Sequence, residues 1–140
     1  MISRKLRIGV LELLVEGPPS GLPALLYNRT FTKQYVSIMP QFVSVWCRQL
    51  GHEVFYRTYY GQTDVEEMMP SDLDYLLIST YTKNSALAYS LSKLYRAAGV
   101  VTVIGGPHAK AFPDDCIRHF DVTVGECDKQ LLAEILAAGR

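Results

Sequence analysis

Six residues stand where small or polar groups cut off apolar runs. Ser79 and Thr80 close DYLLIST, Gly105 and Gly106 break VIGGPH, and Gly125 and Glu126 follow DVTV. A strand that ends in glycine has given up side chains where the next element begins, which serves either a sharp turn or the close approach of another group. Gathered at one edge, such ends form a slot for a long rigid guest, because each missing Cβ widens it. The histidines offer less. His52 falls in a helix-to-strand turn and His119 at a helix end, both structural places, and His108 beside a turn reads as a packing or surface residue rather than a metal ligand. Cys47, Cys116 and Cys127 are odd in number and in no C-x-x-C spacing. They make neither a disulfide framework nor a zinc or iron–sulfur site, and read as reduced thiols. Tyr56, Tyr59 and Tyr60 read as sheet packing.

The elements that must position these residues alternate between strand and helix. Strand patterns cover residues 5–13 (KLRIGVLEL), 52–60 (HEVFYRTYY), 74–80 (DYLLIST), 100–104 and 121–125. Between the first two lies a segment, residues 14–35, rich in Gly, Pro, Asn and Thr, too long for an ordinary connection and so a candidate functional loop. A helix follows it, capped by Ser37, with Pro40 in its first turn and Gly51 at its stop. Asp64 to Met69 makes a short helix at most. Leu87, Leu91, Leu94 and Ala98 mark one face of a longer helix that Gly99 closes. A short helix is expected over 113–119, and a last one through Leu131, Leu132, Ile135 and Leu136 ends at Gly139. Five strands alternating with helices predict an α/β fold, a doubly wound five-stranded parallel sheet of the flavodoxin-like, Rossmann-like order 2-1-3-4-5. That order gathers the ends of strands 1, 3, 4 and 5 along one edge, the place of a ligand site.

Composition narrows the guest. The 140 residues carry 14 basic and 14 acidic side chains and are 49% hydrophobic. That is one domain with a real core and no electrostatic footprint for nucleic acid or an anionic membrane surface. No apolar run reaches the roughly 18 residues of a spanning helix, and the N-terminus enters a strand pattern without a signal-peptide core, so a cytoplasmic location is expected. A phosphorelay receiver would need an aspartate where Ser79 and Thr80 end strand 3. A flavodoxin would need a Ser/Thr-rich phosphate loop where 14–20 reads LVEGPPS. A dinucleotide site would need G-x-G-x-x-G in the first turn, which is absent.

The ordered set DYLLIST, YRAAGVVTVIGGPHA, FPDD and FDVTVGECDKQLL resembles the N-terminal cobalamin-binding domain of cobalamin-dependent radical S-adenosylmethionine proteins, the group that includes the anaerobic magnesium-protoporphyrin ester cyclase. The resemblance runs over residues 37–136, with GGPH, then Pro-Asp-Asp, then DVTVGE as its sharpest elements. It implies that the nucleotide tail of cobalamin lies in the strand-end cleft. Ser79 and Thr80 would hydrogen-bond the benzimidazole, Gly105 and Gly106 would give it room, and Gly125 with Glu126 would close the far side. The Asp-x-His-x-x-Gly motif of methionine-synthase-type domains, whose histidine ligates cobalt, is absent, so no residue of this chain is expected to bind the metal.

The resemblance further implies a module that holds cobalamin for a catalytic domain outside this chain. The Cys-x-x-x-Cys-x-x-Cys triad that would carry a 4Fe-4S cluster and act on S-adenosylmethionine is not here, so the chain alone is expected to catalyse nothing. The expectation is that the gene product continues past Arg140 into a radical S-adenosylmethionine domain. Two other readings remain open at this point: a flavodoxin-like regulatory or interaction domain with a degenerate cleft, and a free-standing corrinoid carrier.

Overall fold

The computed structural model describes residues 4–14, 38–59 and 64–139. The expected cap at Ser37, all but Leu14 of the long segment 14–35, the strand end at Tyr60 and Arg140 lie outside the described residues.

Five strands form one sheet: β1 (Arg7–Leu13), β2 (Glu53–Tyr59), β3 (Tyr75–Ser79), β4 (Val101–Gly105) and β5 (Val122–Thr123). All pairs are parallel and the order is β2-β1-β3-β4-β5, the doubly wound arrangement expected from the alternating pattern. Among the described residues the helices are α1 (Ile38–Gln49), α2 (Val65–Met68), α3 (Ser85–Ala97), α4 (Pro107–Ala111), α5 (Pro113–Ile117) and α6 (Lys129–Ala138), with a 3-10 turn at Thr82–Asn84 ahead of α3.

Parity along the strands sorts the core into two layers, because successive side chains of a strand point to opposite faces. Leu11, Leu13, Leu76, Ile78 and Ile104 pack with Ala88, Leu91 and Tyr95 of α3 and with Cys116 of α5. Ile8, Val10, Tyr75, Leu77 and Val103 pack with Cys47 of α1 and with Leu132 and Leu136 of α6. Covered on both sides, the central strands are mostly apolar, as parallel sheets require, with Glu12 of β1 and Thr102 of β4 as buried polar exceptions.

The ends differ from expectation by a residue or two. β4 starts one residue later than its apolar run and takes in Gly105. β5 is only two residues long, although the Val124 amide just past it still donates to the Ile104 carbonyl of β4 at 2.9 Å. One element is new. Where the sequence suggested a loop, Pro107–Ala111 forms a short helix, with Pro107 in its first turn, where a missing N–H is harmless. The next short helix ends at Ile117, two residues before the expected His119. Gly99 closes α3 at φ +83°, as read from the sequence. Asp128 caps α6 by accepting the Leu131 amide at 2.7 Å. Among the described residues no helix is long and apolar enough to cross a membrane.

Candidate functional site

At the C-terminal edge of the sheet, on the face covered by α1 and α6, lies a cavity of about 580 Å³. This is the ligand position of doubly wound sheets, near the point where strand order reverses. Its deep wall is aliphatic, built from Val10, Leu77, Val103, Val124 and Leu132. Met39, Pro40 and Val43 of α1 close one side.

Five of the six residues singled out in the sequence line this cavity: Ser79, Gly105, Gly106, Gly125 and Glu126. Ser79 and Gly105 are register partners on adjacent strands, side by side at the strand ends. Both share the parity of Leu77 and Val103, so the missing Cβ of Gly105 opens space on the cavity side. Among the described residues a Cβ built there meets only the Val124 carbonyl oxygen at 3.8 Å, an ordinary contact. At Gly125 it meets none of the described residues within 4 Å.

Thr80 is the exception. As the neighbour of Ser79 it faces the α3 layer, is 1% exposed, and its hydroxyl donates to the Tyr81 carbonyl at 3.0 Å. Its own carbonyl accepts the His108 amide at 3.2 Å, which ties the start of α4 to the end of β3. A strand period of two cannot turn adjacent hydroxyls toward one guest, so the structure brings Ser79 to the cavity and leaves Thr80 to the framework.

The two glycines likewise divide their work. Gly106 sits at φ +90°, ψ −171°, a backbone conformation open essentially to glycine alone. A Cβ there would stand 2.7 Å from Ser79 Oγ and 3.3 Å from the Thr80 nitrogen. Gly106 is therefore required by the turn into α4, and Gly105 is the residue that leaves room.

The rim is polar. Lys110 of α4 donates to Glu126 at 2.6 Å, joining α4 to the segment after β5 across the cavity mouth. Hydrogen bonding to Lys110 holds the Glu126 carboxyl below its ordinary range, and the same bond raises Lys110. Sequence reading missed Lys110, because only the unforeseen α4 carries it to the rim. It also missed Glu12, a carboxylate only 1% exposed at the end of β1. Glu12 is the register partner of Ser79 and accepts a hydrogen bond from Tyr56 at 2.8 Å. One acidic residue inside the apolar run IGVLEL was the available signal.

The histidines serve the framework. His52 Nδ1 accepts the Leu6 amide at 3.2 Å, and burial lowers its pKa. His119 stacks on Tyr89 with centroids 4.0 Å apart. His108, 3% exposed, bonds through Nε2 to the Tyr89 hydroxyl at 2.6 Å and through Nδ1 to Thr82 at 3.2 Å. Tyr89 also donates to Asp115. Burial, reinforced by that bond, raises the phenol pKa well above its ordinary value. With the phenol proton directed at Asp115, His108 Nε2 is the donor to the phenol oxygen.

The three thiols are free, and burial raises each, Cys47 to about 12. Among the described residues no group of three or more His, Cys, Asp or Glu side chains is placed to hold a metal ion. Comparison of the chain with known protein families and with curated protein sequences returns no match.

Proposed function

We propose that this chain is a cobalamin-binding module whose strand-end cavity receives the nucleotide tail of the corrinoid. The observation that carries the reading is the pairing of Ser79 with Gly105, a hydroxyl beside a missing side chain, at the open edge of an aliphatic cavity of about 580 Å³. A cavity of that size and lining suits a flat, mostly apolar group with one orienting hydrogen bond. The residues present fit the tail. Gly105 provides the cradle that a Cβ would fill, Ser79 provides a hydroxyl for a ring nitrogen, and Gly125 adds no side chain on the outer side.

In this reading Val10, Leu77, Val103, Val124 and Leu132 exclude water from the ring, Ser79 orients it, and the Lys110–Glu126 pair borders the passage by which the tail arrives. Glu126 thus acts at the rim rather than as a wall of the slot. Gly106 and Thr80 contribute by fixing the turn that shapes the mouth. Bound cobalamin supplies reversible cobalt–carbon bond chemistry. The resemblance assigns its use to a radical S-adenosylmethionine domain outside this chain, the bearer of the 4Fe-4S cluster.

The test is direct. The full chain is mixed with hydroxocobalamin, desalted, and its absorption spectrum recorded against protein concentration. Near-stoichiometric corrinoid carried through the column, and lost in Gly105→Val, is the expected result. A colourless protein peak at micromolar concentrations of both components refutes the reading.

A further inference from the structure

The most buried residues lining the cavity are aliphatic. Val10, Leu77, Val103, Val124 and Leu132 line it and are each at most 7% exposed. Among the described lining residues Ser79 carries the one hydroxyl, at the strand end, while Lys110 and Glu126 are engaged with each other at the rim. Thr80, the other hydroxyl at this strand end, faces the opposite layer. A ring seated against these five aliphatic side chains meets C–H groups along its inner edge, and among the described lining residues Ser79 is the hydroxyl beside it. A polar atom on the inner edge loses its water and gains no partner from these five side chains.

We propose that the cavity selects an apolar benzimidazole-type ring over a purine, and so discriminates among corrinoids by their lower base. The proposal rests on the corrinoid reading above for the identity of the guest and on the aliphatic wall for the selection. A dimethylbenzimidazole presents two methyl groups to that wall and a single free ring nitrogen to Ser79. Adenine presents an exocyclic amine and further ring nitrogens, of which one side chain satisfies one. Val103 is the position at which the selection is most simply altered. Threonine has nearly its shape, and its hydroxyl would give the wall a hydrogen-bonding group.

The experiment compares binding of the full chain to hydroxocobalamin and to the cobamide whose lower base is adenine, by equilibrium dialysis with absorbance detection. In parallel, free 5,6-dimethylbenzimidazole, benzimidazole and adenine are titrated while the methyl resonances of Val103, Val124 and Leu132 are followed by NMR. Cobalamin is expected to bind roughly 10- to 100-fold tighter than the adenine cobamide, the discrimination an apolar pocket exerts against added polar groups. The free bases are expected to rank dimethylbenzimidazole, benzimidazole, adenine, with about a fourfold step per buried methyl. Val103→Thr is expected to narrow the ratio between the two corrinoids.

Equal binding of both corrinoids overturns the selection and leaves the corrinoid reading standing. Binding of neither, with the free bases still shifting the cavity methyls in the stated order, overturns the corrinoid reading and supports the selection. Binding of neither, with no base shifting those methyls, overturns both.

Discussion

Gly105 and Gly106 are neighbours of one residue type, and the structure assigns them opposite sensitivities. The perturbation is alanine at each in turn. Gly106 has φ +90° and ψ −171°, where an L-residue pays on the order of 1–3 kcal/mol. The new Cβ would also stand 2.7 Å from Ser79 Oγ, so either that side chain or the turn must shift. Gly106→Ala is therefore expected to destabilise the fold by about 2 kcal/mol or more. Gly105 lies outside the positive-φ region, and its Cβ would make one ordinary contact at 3.8 Å. Gly105→Ala is expected to change stability by no more than about 0.5 kcal/mol, the range of substitutions that touch nothing critical.

Thermal unfolding followed by far-ultraviolet circular dichroism reads the difference. For a chain near this length each kcal/mol moves Tm by roughly 2–4 °C, so Gly106→Ala should lie at least several degrees below Gly105→Ala. Corrinoid retention is expected to run the other way among the folded variants, with Gly105→Val losing it because the valine side chain occupies the slot. A Gly106→Ala protein as stable as the parent, or a Gly105→Ala protein as unstable as Gly106→Ala, would refute the division of roles.

Three further outcomes follow from the site. Ser79→Ala is expected to weaken corrinoid binding by about 1 kcal/mol, one hydrogen bond, whereas Thr80→Val leaves binding unchanged and lowers stability by about that amount; dialysis and urea unfolding separate the two. Tyr89→Phe removes the hydroxyl shared by His108 and Asp115 and leaves His108 buried with one partner fewer. It is expected to lower stability by about 1–3 kcal/mol, read as a reduced urea midpoint at unchanged slope. Because the folded-state pKa of Glu126 is depressed, the rim bond is complete above the ordinary carboxylate range and is lost as pH falls through that lowered value. The Glu126 carboxyl carbon resonance is expected to titrate below the ordinary range and to return to it in Lys110→Met.

The sheet was legible because its signals are local and repeated: apolar runs, stop glycines, and helical spacing such as Leu87 to Leu91. The strand order followed from handedness and alternation, which admit few arrangements. The site was legible only to the level of position. Sequence located the strand ends, yet it assigned Ser79 and Thr80 to one guest although strand parity sends them to opposite layers. It also gave Gly105 and Gly106 one task, because a glycine letter does not say whether it is needed for φ or for space. The helix Pro107–Ala111 was missed because two prolines six residues apart, with Phe112 between the turns they begin, read as breakers rather than as two first-turn residues. That omission hid Lys110, whose place on the rim exists only once the helix does.

The same helix links the two layers of the molecule. Pro107 and Lys110 border the cavity, while His108 and Ala109 of the same five residues are buried in the α3 layer. The His108 amide is tied to the Thr80 carbonyl, and its ring is held from one side by Thr82 and from the other by Tyr89, which α5 engages through Asp115. A helix this short has little stability of its own, so tertiary contacts must hold it. The shape of the cavity mouth is therefore set from the opposite face of the sheet. Ser79 and Gly105 determine what the cavity accepts, whereas Thr80, Gly106, His108 and Tyr89 determine how firmly its edge is held. Substitutions in the first pair are expected to change affinity with little effect on stability, and those in the second group to change stability first.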